Sequence, residues 1–287
     1  RWHPSVDHKY ERINVKGTKL EWFDVVNCQQ TRVWTLPFPA QHDLAQNPSA
    51  DGRFIALYDD TRIFVVDMDP QAPFLSYTGG NRRIGPVYNL SQCTLSDCTV
   101  DHAYISPTGK YIVVSYQGSN GDALRVLDVN PNTLEITPHA TSSNSTFCSG
   151  NDDPANGSLY DLGHEGIAIN PFDNNEEVVI GQRRSWCPST VNGVSMGRVV
   201  MVRLTDGRVT TLTDPNNEAY SYHISTVNVN RPGWAYVSYY PSSGDKFNDE
   251  IIAVKMDGSK QVERFVHTHT DTASCYRCES HPVPSRD

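Results

Sequence analysis

His102-Ala-Tyr-Ile-Ser-Pro-Thr-Gly109-Lys-Tyr111-Ile-Val-Val-Ser-Tyr116 decides how the rest of the chain is read. An apolar run ends at Ser-Pro-x-Gly, and a second run rich in β-branched and aromatic residues follows at once, the signature of two strands joined by a turn. The stretch recurs. Aligned on histidine, the counterparts are His42 to Pro48, His164-Glu-Gly-Ile-Ala-Ile-Asn-Pro171, His223-Ile-Ser-Thr-Val-Asn-Val-Asn-Arg-Pro232-Gly233 and His281-Pro-Val-Pro-Ser285. The spacings are 60, 62, 59 and 58 residues.

A β-rich run follows each turn: Phe54 to Tyr58, Tyr111 to Tyr116, Glu177 to Gly181 and Trp234 to Tyr239. Further runs come after these at Arg62 to Asp67, Leu124 to Asp128, Val199 to Arg203 and Ile251 to Lys255, and weaker ones close each unit, as at Arg208 to Leu212. Four strands per repeat with no ten-residue helical period is the pattern of a β-propeller blade, so the expected fold is all-β, in one domain over residues 1–287. The chain stops after the first strand of a unit, while Tyr10 to Val15, Lys19 to Val25 and Arg32 to Leu36 supply three more. That arrangement predicts a blade shared between the termini. About five blades result, or seven if the chain is a fragment of a longer ring.

Composition narrows the partners. The chain of 287 residues has 33 acidic against 24 basic residues and a net charge of −9, with no Lys/Arg block to meet a phosphate backbone, so nucleic acid is not expected. No apolar run approaches the roughly 20 residues of a membrane span. A monomer off the membrane is expected. Seven cysteines and three glycosylation sequons, at Asn89, Asn144 and Asn156, point to secretion, extracellular or periplasmic.

The first strand of a blade lines a propeller's channel, so the repeated histidines are expected at its mouth. One reading makes them blade-closing hydrogen-bond partners; the other makes them metal ligands or proton carriers. Loops at the same end bring Tyr58-Asp59-Asp60, Tyr116-Gln117, Gln182-Arg183-Arg184-Ser185-Trp186 and Tyr239-Tyr240. Arginine clamps carboxylates and indole stacks on sugar faces, which suits an anionic, sugar-sized ligand. The densest ligand cluster is His267-Thr-His269 through Cys275-Tyr-Arg-Cys278 to His281. With His223 nearby, His267, Cys275 and Cys278 could hold structural zinc, while a Cys275–Cys278 disulfide is the alternative. Another divalent metal at the channel mouth is a further expectation.

The His102–Gly109 and Ser280–Asp287 patterns resemble the blades of TolB-type propellers. Among enzymes they are similar to the oligogalacturonate-lyase and ulvan-lyase groups of β-propeller polysaccharide lyases. That resemblance implies β-elimination on a uronic-acid polysaccharide. The chemistry requires a base, an acid for the leaving oxygen and a cation for the carboxylate. His102 or His164 would be the base, Tyr239 or Tyr116 the acid, and Arg183, Arg184 or a metal the cation. Trp186, Gln117, Tyr116 and His42 would bind the sugar. A propeller glycoside hydrolase using two of Asp59, Asp60, Asp101 and Glu165, and a non-catalytic carbohydrate- or protein-binding propeller, are the alternatives.

Overall fold

The computed structural model describes residues 2–4, 10–24, 26–40, 49–69, 83–90, 99–118, 121–139, 158–160, 162–183, 190–191, 194–195, 197–213, 218–226, 231–241, 245–269, 280 and 282. Among them every regular element is a strand, and the strands form successive antiparallel sheets in chain order. The first sheet is β1 (Trp2–Pro4), β2 (Tyr10–Lys16), β3 (Lys19–Asp24) and β4 (Gln29–Thr35). The second is β5 (Phe54–Tyr58), β6 (Arg62–Asp67) and the short β7 (Tyr88–Asn89). The next meander is β8 (Thr99–Ile105), β9 (Tyr111–Gly118), β10 (Gly121–Val129) and β11 (Ile136–Pro138), with β12 (Ser158–Tyr160) after it in the chain. A fourth comprises β13 (Leu162–Asn170), β14 (Glu176–Arg183), β17 (Val199–Arg203) and β18 (Val209–Thr211), with a β15 (Thr190–Val191) and β16 (Val194–Ser195) hairpin inserted. The last is β19 (Ser221–Ser225), β20 (Trp234–Tyr239), β21 (Glu250–Lys255) and β22 (Val262–His267). Consecutive four-stranded meanders of this kind are β-propeller blades.

The residues form two compact units. In the unit holding the first two sheets and most of the third, Ile55, Leu57, Phe64 and Val66 pack with Leu20, Leu36 and Phe38 of the N-terminal sheet region. The intervening Phe54, Ala56, Tyr58, Ile63 and Val65 pack with Ala103, Ile105, Ile112 and Val114 of the third sheet. Period-2 alternation thus sends successive side chains of one sheet to opposite neighbours. The second sheet is buried on both faces, which is why β5 and β6 read as unbroken apolar runs. In the other unit, Val178, Ile180, Val199 and Met201 pack with Ala235, Val237, Ile252 and Val254. Outer strands lack this double cover: β22 is mostly exposed, including Phe265 and Val266.

The repeated turn has a physical basis. Gly52, Gly109 and Gly233 take φ of 76°, 76° and 83°, where a β-carbon is disfavoured, and the fourth sheet uses Asn174 and Asn175 at 50° and 59° instead. The serine of Ser-Pro-x-Gly closes the hairpin. Ser106 Oγ accepts from the Tyr111 amide at 3.1 Å, and Ser49 Oγ accepts from Phe54 in the same way at 2.9 Å.

At the N-terminus the edge beside β2 is occupied by β1, with Trp2 opposite Arg12 and Pro4 opposite Tyr10. The sequence places residues 281–285 at that edge; of these only Pro282 is described, and it is buried. Five residues separate β1 from β2, so a local segment meets that edge at little cost in loop-closure entropy. Ser280, which leads into residues 281–285, accepts at its carbonyl from Ser238 Oγ in β20 at 2.6 Å.

Candidate functional site

In the third, fourth and fifth sheets the first strand carries a bulge against the second. Pairing shifts between Val100 and His102, between Gly163 and Gly166, and between Ser221 and His223. Such bulges re-aim side chains at a strand edge. The bulge also bears on the histidine alignment. His102 pairs with Ser115 and His223 with Ser238, directly after the shift. In β13 the flanking pairs are Gly163 with Gln182 and Gly166 with Ile180, so one of His164 and Glu165 is the extra residue of the bulge. Glu165 is buried at 1% exposure.

His102 has the most developed surroundings. Its Nδ1 lies 3.2 Å from Asp101 Oδ2, its ring stacks on Tyr104 at 5.4 Å and 12°, and its side chain is 16% exposed. The Tyr58 phenol donates to the Asp101 carbonyl at 3.4 Å, tying the bulge to the preceding sheet. A carboxylate only accepts, so in this hydrogen bond Nδ1 carries the hydrogen, and in a neutral imidazole the basic nitrogen is then Nε2.

The other unit places β13 against β19. A β-carbon on Gly166 would lie 2.8 Å from the Thr226 methyl, so glycine permits the approach, and Thr226 Oγ1 donates to the Ile167 carbonyl at 2.5 Å. Gln182, expected in an open loop, is 1% exposed and bridges these sheets. Its Nε2 donates to the Ala219 and Gly197 carbonyls at 2.8 and 3.0 Å, and its Oε1 accepts from the Ser221 amide at 2.6 Å. Gln182→Leu would strand buried backbone groups of residues 219 and 221. A loss of about 3 kcal/mol is expected, read as a lower urea midpoint at unchanged slope.

The tyrosines differ from expectation. Tyr239 is fully buried and its phenol donates to Glu218 at 3.3 Å, while Tyr116 is 2% exposed beneath the Arg125 guanidinium. Both stand on second strands, which are covered on both faces. Tyr240, one residue on, is exposed. Asp59 is held at low pKa: hydrogen bonds from Arg62 and Thr61 outweigh burial, so it serves its own turn.

The expected zinc ligands are not brought together where they are described. His223 is in β19 and His267 in β22, with β20 and β21 between them. Three strand spacings of ~4.8 Å amount to about 14 Å, too wide for nitrogens that each sit ~2 Å from one ion. His267 instead lies 3.8 Å from Glu250 and 6.1 Å, ring to ring, from His269. Among the described residues no group of three or more ligating side chains is assembled for a metal. His42, Arg184, Ser185, Trp186, Cys275, Cys278 and His281 lie outside the described residues, as do the side chains of Gln117, His164 and Arg183. The backbone places Arg183 at the end of β14, opposite Leu162 and beside the bulge.

No protein-family model and no curated protein sequence matches the chain. Among solved structures it is similar to Saccharomyces cerevisiae Sqt1 at 8% identity and TM-score 0.48, covering 94% of this chain and 60% of that one. It is also similar to Kuenenia stuttgartiensis hydrazine synthase at 14% identity and TM-score 0.43, covering 89% and 64%. A third is the fission yeast SREBP-SCAP binding-domain complex at 11% and 0.44, covering 93% and 60%. The chain spans less than two thirds of each of these. The blade assignment rests on the sheets described above.

Proposed function

We propose that this β-propeller is a secreted polysaccharide lyase that cleaves a uronic-acid polysaccharide by β-elimination, with His102 as the base. The observation that carries the reading is the Asp101–His102 pair at the bulge of β8. Elimination needs a neutral imidazole aimed at the proton next to the carboxylate, and Asp101 supports that tautomer. His102 takes this proton, the freed electron pair forms the C4–C5 double bond as the C4–O bond breaks, and the departing oxygen takes a proton from water, leaving an unsaturated sugar. An arginine or a metal would neutralise the substrate carboxylate.

A second reading is a propeller that binds an acidic glycan without cleaving it. It is favoured by the burial of Tyr116 and Tyr239, which removes from solvent the two phenols expected to protonate the leaving oxygen. Mass spectrometry after incubation with pectin, ulvan and glucuronan fragments separates the readings. Elimination yields new ends one water lighter than those of hydrolysis. Intact oligosaccharide that co-elutes with the protein supports binding alone.

A further inference from the structure

Glu218 lies at the start of the last sheet, where the chain arrives from the fourth. It makes a parallel bridge with Lys246, and the next amide, Ala219, donates to the Lys246 carbonyl at 3.0 Å. One carboxyl oxygen accepts from the fully buried Tyr239 at 3.3 Å; the other is buried with no hydrogen-bond partner. Thr213, which follows β18, and the Val199 amide of β17 also face this carboxyl. It is therefore a polar plug between two sheets of one unit, joining β17 and the end of β18 to β20. Gln182 pins the same stretch at residues 219 and 221.

We propose that Glu218 is a proton-controlled latch, which holds the start of β19 between these two sheets when its carboxyl is protonated and releases it when the carboxyl ionises. A neutral carboxyl suits a site with one unpartnered oxygen, whereas an isolated carboxylate there is penalised by lost hydration. The charged groups around it do not reverse this. Arg198, just ahead of β17, favours the ionised form, but burial dominates and pushes Glu218 up to about 7. Tyr239 of β20 is itself raised by burial and by Glu218, with Glu250 of β21 adding in the same sense. The Lys246 side chain is exposed. The segment released is the one that leads into His223.

The direction follows from linkage. In the opened segment Glu218 takes its ordinary value of 4.5, and in the closed one about 7. Between these values opening releases a proton, so the opening constant rises by up to about tenfold per pH unit, and above them it levels off. The test is amide hydrogen exchange at Ala219, Ser221 and Tyr240 from pH 5 to 9, corrected for intrinsic exchange. Wild type should show that rise and plateau, Glu218→Gln should be flat, and Tyr239→Phe should move the rise to higher pH. A flat wild-type profile, or a Glu218→Gln profile with the wild-type rise, would overturn the latch. Should Glu218→Gln fail to fold, the Tyr239→Phe shift decides, and an unmoved midpoint would overturn it. The readout requires no substrate, so the result is independent of the lyase reading.

Discussion

His102→Gln is expected to lower the rate of elimination by about 10²- to 10⁴-fold while leaving KM nearly unchanged, because a positioned base acts in the transition state rather than in binding. Glutamine keeps a polar side chain of similar reach but has no basic nitrogen. Asp101→Asn should cost about ten- to a hundredfold, since the amide can donate to Nδ1 and favours the wrong tautomer. Tyr104→Phe keeps the ring that stacks on His102 and should change neither constant by more than a few-fold. Steady-state kinetics on one uronic oligosaccharide checks all three. A His102→Gln enzyme with wild-type turnover would remove His102 from the mechanism.

Gly109→Val should destabilise the fold by about 3 kcal/mol or more. Two costs combine. At φ of 76° a side chain costs roughly 1–2 kcal/mol, and a β-branched one at least that. The new β-carbon would also lie 2.5 Å from the Phe54 ring, which is itself core, and overpacking of that kind costs about 1–3 kcal/mol. Gly17→Ala is the control. Gly17 has φ of 57°, and a β-carbon added there would meet nothing within 4 Å, so only the backbone cost of about 1 kcal/mol applies. Thermal melts should place Gly109→Val about 10 °C below wild type and Gly17→Ala a few degrees below.

The same glycine explains what is legible in the sequence. Ser-Pro-x-Gly is a local device: its serine caps the hairpin and its glycine takes the left-handed turn, so residues five apart settle the geometry. Strands buried on both faces, such as Phe54–Tyr58, announce themselves as apolar runs. Legibility fails where a single added residue or a distant partner decides. One extra residue in β13 decides whether His164 or Glu165 takes the histidine position, and nothing in the local sequence marks it. Tyr239 reads as a loop tyrosine until Glu218, 21 residues earlier, and a covering sheet bury it. Gln182 reads as a solvated neighbour of arginines, yet its partner Ser221 lies 39 residues on, across a sheet-to-sheet seam. His223 and His267 look close when the connections between repeats are followed along the chain, and only strand order shows two strands between them.

The lyase account meets its most direct test in the ultraviolet absorbance of the unsaturated uronate, followed as purified wild-type protein acts on pectin, ulvan and glucuronan. A steady rise on at least one of them, lost in His102→Gln, is the predicted result. New reducing ends without that absorbance, or an equal rise with His102→Gln, would contradict it.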